Sequence, residues 1–136
     1  MPYRYACLGF ALFALGCGGN KLAPVKGRLV YPDGSPVTKM ANGQVIFEPE
    51  DPDAGNVSSV GTIDAQGQFV LTTNKPNDGA TVGKNRVVVN QNIPDANKPP
   101  PRVLLEKYGA FDTSGIVLDV VPGQNDFTIT VEPYKK

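Results

Sequence analysis

Residues 126–132 read Asp-Phe-Thr-Ile-Thr-Val-Glu, and this stretch decides the fold class. Phe127, Ile129 and Val131 alternate with polar residues, so an extended strand would place the apolar side chains on one face and the polar ones on the other. The same period of two recurs along the chain, and no window sustains the 3.6-residue repeat of an amphipathic helix. The sequence therefore predicts an all-β domain.

Six earlier segments carry the same strand signal and are separated by turn residues. They are residues 25–31, 44–48, 57–63, 68–72, 86–90 and 116–121. Val25, Gly27, Leu29 and Tyr31 share one face of the first segment, and Val45 and Phe47 in the second are expected to point inward. Seven short strands without connecting helices predict an antiparallel two-sheet β-sandwich over residues 24–136.

Two connections contain residues typical of tight turns. Asp64-Ala65-Gln66-Gly67 has Asp at the first position and Gly at the fourth, as type I turns favour, so Asp64 is interpreted as a turn former rather than a metal ligand. Pro122-Gly123-Gln124-Asn125 joins the last two strands. This connector predicts that those two strands pair as a β-hairpin.

The connection formed by residues 91–115 is unusually long and contains three consecutive prolines within Lys-Pro-Pro-Pro-Arg. Loops of this length inside compact domains are often functional or mobile, and the prolines favour an extended polyproline conformation. Leu104 or Leu105, together with Tyr108, is expected to close one end of the sandwich, with the Tyr108 hydroxyl bonding to the backbone. The alternative is that Tyr108 and Phe111 stand exposed and recognise a partner.

The N-terminus differs in composition from the rest of the chain. Residues 6–16, Ala-Cys-Leu-Gly-Phe-Ala-Leu-Phe-Ala-Leu-Gly, are uncharged and apolar and follow Arg4. As a helix with a rise of about 1.5 Å per residue, this run would span roughly 17 Å, well short of the ~30 Å bilayer core. Its length suits a secretory signal peptide over residues 1–16, and a buried first helix is the alternative.

The sequence Phe-Ala-Leu-Gly-Cys-Gly-Gly-Asn around Cys17 resembles a bacterial lipobox. The resemblance implies that Cys17 carries a diacylglyceryl thioether, and residues 17–23 would then form a short tether. Ala14-Leu15-Gly16 also fits ordinary secretory cleavage, which would release a soluble domain with a free thiol. No aspartate follows Cys17, and by resemblance this favours the outer membrane.

The order of motifs resembles the bacterial lipoproteins that contain a transthyretin-like, carboxypeptidase-regulatory-like domain. The matching pieces are VKGRLVYPDGSPV, GQVIFEPED, GTIDAQGQFVLTT, VGKNRVVV, LLEKYGAFDTSGI and VVPGQNDFTITV, which cover nearly all of residues 24–132. The resemblance implies a seven-stranded Greek-key sandwich without catalytic activity of its own. No ligand-binding residue is carried over, because the family pattern is structural.

Composition excludes several kinds of chemistry. The chain has no histidine, and its two cysteines are Cys7, in the expected signal, and Cys17. These counts exclude Ser-His-Asp and Cys-His catalysis, His- or Cys-rich metal sites and a disulfide in the mature chain. We expect no catalytic residue and no cofactor. A formal net charge of +0, with scattered Lys and Arg, argues against nucleic-acid binding.

Two further groups of side chains are candidate binding sites. The acidic run Glu48-Pro49-Glu50-Asp51-Pro52-Asp53 lacks the spacing of a calcium loop and is interpreted as a solvated loop, so no metal site is expected. A carbohydrate would need an exposed platform built from the aromatic candidates. These are Tyr31, Tyr108, Phe111 and Tyr134.

The combined expectation is a non-enzymatic lipoprotein that is attached to the cell envelope through its lipid. Its sandwich would serve as a structural or protein-interaction module for an envelope protein partner. The alternative is a lipoprotein that binds a small ligand or a glycan.

Overall fold

The computed structural model describes residues 21–54 and 57–135. Its strands are β1 (Leu22–Ala23), β2 (Val25–Val30), β3 (Gln44–Pro49), β4 (Ser59–Thr62), β5 (Gln68–Val70), β6 (Ala80–Thr81), β7 (Gly83–Asn90), β8 (Ile116–Val120) and β9 (Asn125–Thr130). Helical structure in these residues is limited to two 3-10 turns, Pro52–Ala54 and Glu106–Gly109, and one helical turn, α1 (Phe111–Ser114). None of these segments is long and apolar enough to cross a bilayer. The all-β prediction is confirmed, whereas the expected signal and Cys17 lie outside the described residues.

The strands form three sheets, with orders β5-β2-β9, β4-β3-β7-β8 and β1-β6. The expectation of antiparallel pairing throughout was wrong, because β2 and β9 run in the same direction. Their register matches Val25 with Asn125 and Val30 with Thr130. Parallel neighbours need a crossover connection, and here nearly the whole domain lies between the two strands.

The predicted hairpin between the last two strands is also wrong. β8 pairs with β7 in the four-stranded sheet, whereas β9 pairs with β2 in the three-stranded sheet. The Asn125 carboxamide holds the connection, since it accepts a hydrogen bond from the Val121 amide at 3.0 Å and donates to the Val121 carbonyl at 2.9 Å. It also donates to the carbonyls of Gly123 and Pro24, both at 3.2 Å. The side chain therefore replaces hairpin pairing and lets the chain cross between sheets.

The buried side chains of the two larger sheets form one hydrophobic core. The inward prediction for Val45 and Phe47 is confirmed, because each is 0% exposed, and Leu29 is equally buried. The Phe47 ring, from the four-stranded sheet, lies with its centroid 6.4 Å from that of Phe69 and 6.1 Å from that of Phe127. Phe69 and Phe127 belong to the three-stranded sheet, so this tilted aromatic group joins the two layers.

Leu22 and Ala23, which were expected to lie in the tether, belong to the fold. Leu22 and Ala23 form β1 and pair with Thr81 and Ala80 of β6. The strand passes so close to Gly79 that a Cβ there would overlap the Ala23 carbonyl oxygen. Two-residue strands carry too little pattern to be recognised in a sequence.

The long connection is partly folded and closes one end of the core. Leu104 and Tyr108 are 5% and 4% exposed, so the burial prediction is confirmed and the exposed alternative for Tyr108 is wrong. The Tyr108 hydroxyl accepts a hydrogen bond from the Glu132 amide at 2.9 Å. Phe111 is half-buried beneath Arg86, whose guanidinium carbon lies 5.2 Å from the ring centroid.

Candidate interaction surface

The domain has two ends, which are defined here by where its strands begin and end. The proximal end lies beside Lys21, whose carbonyl accepts a hydrogen bond from the Val82 amide at 2.8 Å. β2 starts near this end and leads to Tyr31 at the opposite, distal end, where β7 delivers Gln91. At about 3.3 Å per residue, the six residues of β2 separate the ends by roughly 20 Å.

A groove at the distal end consists of two adjoining hollows that share Tyr31 and Pro133. The first, of about 600 Å³, is lined by Tyr31, Pro32, Asp33, Glu132, Pro133 and Lys135. The second, of about 450 Å³, is lined by Tyr31, Lys39, Gln91, Pro100, Pro101, Arg102, Val103, Pro133 and Tyr134. We call the two hollows together the Tyr31 groove.

Gln91 fixes the proline-rich wall of the Tyr31 groove. Its Nε2 donates a hydrogen bond to the Pro101 carbonyl at 2.8 Å, and its Oε1 accepts one from the Val103 amide at 3.0 Å. Proline has no amide hydrogen and cannot join a sheet ladder through its nitrogen. The carboxamide therefore holds a segment that backbone pairing alone would hold poorly.

The C-terminal segment forms the neighbouring wall. After β9 the chain pairs with the long connection, because the Tyr134 amide donates to the Val103 carbonyl at 2.9 Å and the Leu105 amide donates to the Glu132 carbonyl at 3.3 Å. An isolated bridge between Leu104 and Pro133 continues this pairing. Tyr134, 43% exposed, is thereby presented on a fixed backbone.

A tight turn after β2 supplies the third wall. The Gly34 amide donates to the Tyr31 carbonyl at 2.8 Å, and the Tyr31 amide donates to the Ser35 carbonyl at 2.8 Å. The Asp33 carboxylate accepts hydrogen bonds from the hydroxyl and the amide of Ser35. These two hydrogen bonds, the hydroxyl one first, hold the pKa of Asp33 below its usual value.

The charges around the Tyr31 groove are unevenly matched. Arg102 pairs with Glu106 at 3.0 Å, and Lys107 pairs with Glu132 at 3.5 Å. Lys39 and Lys135, one in each hollow, form no ion pair with any residue in the described part of the chain. Lys39 lines the second hollow, which has no lining carboxylate, whereas Lys135 shares the first hollow with the carboxylates of Asp33 and Glu132.

The structure does not gather all four aromatic candidates. Tyr108 is buried in the core and Phe111 stacks beneath Arg86. Only Tyr31 and Tyr134 line the same groove. A continuous platform built from all four rings therefore does not form.

The acidic run is only partly the solvated loop that was expected. Glu48 and Pro49 belong to β3, and Glu48 pairs with Arg86 at 3.3 Å. The Asp51 carboxylate accepts a hydrogen bond from the Asp53 amide at 2.9 Å and so shapes its own turn. Across residues 21–54 and 57–135, no three potential ligand residues lie close enough to hold a metal ion.

The Asp64 turn has the expected form. The Gly67 amide donates to the Asp64 carbonyl at 3.1 Å. The Asp64 carboxylate accepts hydrogen bonds from the amides of Gln66 at 2.8 Å and Gln68 at 2.9 Å. Asp64 therefore acts as a turn former, as predicted.

A larger hollow, of about 670 Å³, lies over the outer face of the three-stranded sheet and is lined mainly by polar side chains. Its polar side chains are largely bonded within the domain: Lys26 lies 4.0 Å from Asp126, and Arg28 Nε donates to the Thr128 hydroxyl at 3.1 Å. Exposed pairs of this kind contribute little energy and keep the face hydrated. This hollow offers less to a partner than the Tyr31 groove.

Protein-family models, curated proteins and solved structures give no match to this chain. Function is therefore inferred from the residues themselves. Sequence reasoning selected Tyr31 and Tyr134 but missed Gln91, Lys39 and Lys135. No local pattern marks Gln91, because its partners lie 10 and 12 residues away in the chain.

Proposed function

We propose that this chain is an exported bacterial lipoprotein whose β domain is a non-enzymatic protein-interaction module at the cell envelope. In this proposal residues 1–16 are removed, Cys17 carries the lipid, and the outer membrane is favoured over the inner membrane. The domain would be a Greek-key sandwich of the transthyretin-like, carboxypeptidase-regulatory-like kind.

The observation that carries the proposal is the position of β1 relative to Cys17. β1 begins at Leu22, five residues beyond the cysteine, and its pairing with β6 fixes the start of the fold at the proximal end. Five extended residues reach at most about 18 Å. A lipid on Cys17 would therefore keep the proximal end near the membrane and direct the Tyr31 groove away from it.

The strand order supports the Greek-key part of the proposal. The chain crosses between the two larger sheets from β2 to β3, from β4 to β5, from β5 to β7 by way of β6, and from β8 to β9. Such crossings distinguish Greek-key sandwiches from two stacked meanders.

The alternative, a lipoprotein that binds a small ligand or a glycan, has one observation in its favour. Tyr31 and Tyr134 line one groove, as stacking on a sugar ring would require. However, the neutral carboxamide of that groove, Gln91, is already bonded to Pro101 and Val103. A protein segment therefore fits the groove better than a hydroxyl-rich ligand.

The test is mass spectrometry of the N-terminal peptide from the full chain produced in bacteria. We expect a peptide that starts at Cys17 and carries acyl chains, recovered from the membrane fraction, because stable anchoring requires more than one chain. Cys17→Ser is the control and should carry no acyl chain, because serine has no thiol to form the thioether. An unmodified Cys17, or a mature chain that starts elsewhere, contradicts the proposal.

A further inference from the structure

We infer that the Tyr31 groove binds an extended, proline-containing acidic segment of a partner protein. The inference rests on the proposed interaction function and names the surface and the chemistry of the partner. The observations that carry it are the lining, the charge and the rigidity of the groove.

The lining favours a proline-containing segment. Tyr31 and Tyr134 supply aromatic side chains, and Tyr31 and Pro133 line both hollows. Segments in the polyproline conformation dock into aromatic-lined grooves because they are already extended and lose little conformational freedom on binding. The two adjoining hollows suit successive side chains of such a segment.

The charge of the groove favours an acidic segment. Lys39 lines one hollow and Lys135 the other, and neither is paired within the described residues. Glu132 beside Lys135 is paired with Lys107, but the Asp33 carboxylate is hydrogen-bonded to the neutral Ser35 and keeps its negative charge. The second hollow has no lining carboxylate, so a carboxylate on the partner would complement Lys39, whereas a basic segment would leave it unpaired.

The rigidity of the groove favours a preformed site. The Gln91 carboxamide fixes one wall, backbone pairing between Tyr134 and Val103 fixes the second, and the turn at Tyr31 fixes the third. A groove whose walls are already ordered pays little entropy when a partner binds.

The test is fluorescence anisotropy of labelled peptide probes with the full chain in mild detergent. The main probe is a Glu-Pro-Pro repeat peptide. A Lys-Pro-Pro repeat of equal length tests the charge, and a Glu-Gly-Ser repeat of equal length tests the need for proline. We expect saturable binding of the first probe, weakened by salt because the lysines are exposed, and at least tenfold weaker binding of the other two.

Substitutions test whether the Glu-Pro-Pro probe binds in the Tyr31 groove. Tyr134→Ala should weaken binding of the Glu-Pro-Pro probe about tenfold, as removal of one aromatic anchor typically does. Lys39→Glu and Lys135→Glu should each weaken it severalfold. Lys84→Glu, which makes the same charge change at an exposed position of β7 near the proximal end, is the matched control and should leave binding unchanged.

Several outcomes overturn the inference. These are absence of binding, equal binding of all three probes, or a loss in Lys84→Glu as large as that in Lys39→Glu. Saturable binding of chito-oligosaccharides that is lost in Tyr134→Ala would instead assign the groove to a glycan. None of these outcomes alters the peptide mass measured at Cys17, so failure of this inference is distinguishable from failure of the anchoring proposal.

Discussion

The Tyr108 hydroxyl and the Glu132 amide are joined by a hydrogen bond of 2.9 Å that ties the long connection to the end of the last strand. Tyr108→Phe should destabilise the fold by about 1–3 kcal/mol, because the Glu132 amide loses its partner. Tyr108→Ala should cost about 3–5 kcal/mol through loss of the buried ring. Urea unfolding measures both values. Tyr134→Ala is the exposed-tyrosine control, expected within about 0.5 kcal/mol of wild type, and an equal effect there would contradict the closing role of Tyr108.

A comparison of Gly79 with Gly34 separates the energetic cost of a positive φ from the energetic cost of steric overlap. Both have positive φ, 98° and 88°, but a Cβ on Gly34 meets nothing within 4 Å, whereas one on Gly79 overlaps the Ala23 carbonyl. Gly34→Ala should therefore cost only the conformational term, about 1–2 kcal/mol. Gly79→Ala should cost clearly more, measured by thermal or urea unfolding. Equal losses would mean that β1 does not pack over Gly79.

The lowered pKa of Asp78 makes the stability of the domain depend on pH. Partial burial raises the pKa of Asp78, but hydrogen bonds donated by the backbone amides of Thr73, Lys75 and Asn74 outweigh that effect and hold the pKa below 3.8. Because the folded-state pKa is depressed, the stabilisation is present above the unfolded-state pKa and is lost as pH falls through the folded value. Asp78→Asn should therefore be less stable than wild type at neutral pH, and the difference should shrink below about pH 4. Urea unfolding of both proteins at neutral pH and below about pH 4 measures this difference in stability. A difference in stability that does not change with pH would contradict this role of Asp78.

Gln91 should control the mobility of the proline-rich wall. Gln91→Ala removes the hydrogen bonds to Pro101 and Val103, and two such bonds contribute about 1–3 kcal/mol together. Hydrogen exchange should show faster exchange of the Val103 amide in the variant. Gln66→Ala, at an exposed turn position, is the control and should leave that amide unchanged.

Calcium should leave the stability of the domain unchanged. Asp51 and Asp53 shape their own turn, and the described residues contain no group suited to hold a metal ion. Specific binding would stabilise the fold by about 2.7 kcal/mol at a hundredfold excess over the dissociation constant. A rise in melting temperature with millimolar calcium that disappears in Asp51→Ala/Asp53→Ala would contradict this expectation.

Sequence alternation predicted the strands that have one buried face, because a period of two is a local property of a sheet. It located β3 through Val45 and Phe47 and β9 through Phe127 and Ile129. It did not predict their partners. Pro122-Gly123 marks a change of direction, but the following strand joins the other sheet because the Asn125 side chain, rather than strand pairing, closes the turn.

The Tyr31 groove could also be predicted only in part, because local patterns do not show which distant residues meet. Aromatic residues attract notice in a sequence, whereas the side chains that shape the groove do so through distant contacts. Gln91 holds Pro101 and Val103, and Lys39 and Pro100 line the same hollow although they are far apart in the sequence. Assembly of such a surface depends on topology, which short-range patterns do not encode.

The parallel pairing of β2 with β9 has a consequence for how the chain is made. Arg28 and Thr128 bond to each other although 100 residues separate them in the sequence. The three-stranded sheet therefore cannot close until β9 has been synthesised, and contacts of such long range fold slowly. In the export that we propose, a chain that is still open at this stage could be threaded through a narrow channel. The pairing that completes the three-stranded sheet would then keep the domain unfolded until β9 has been translocated.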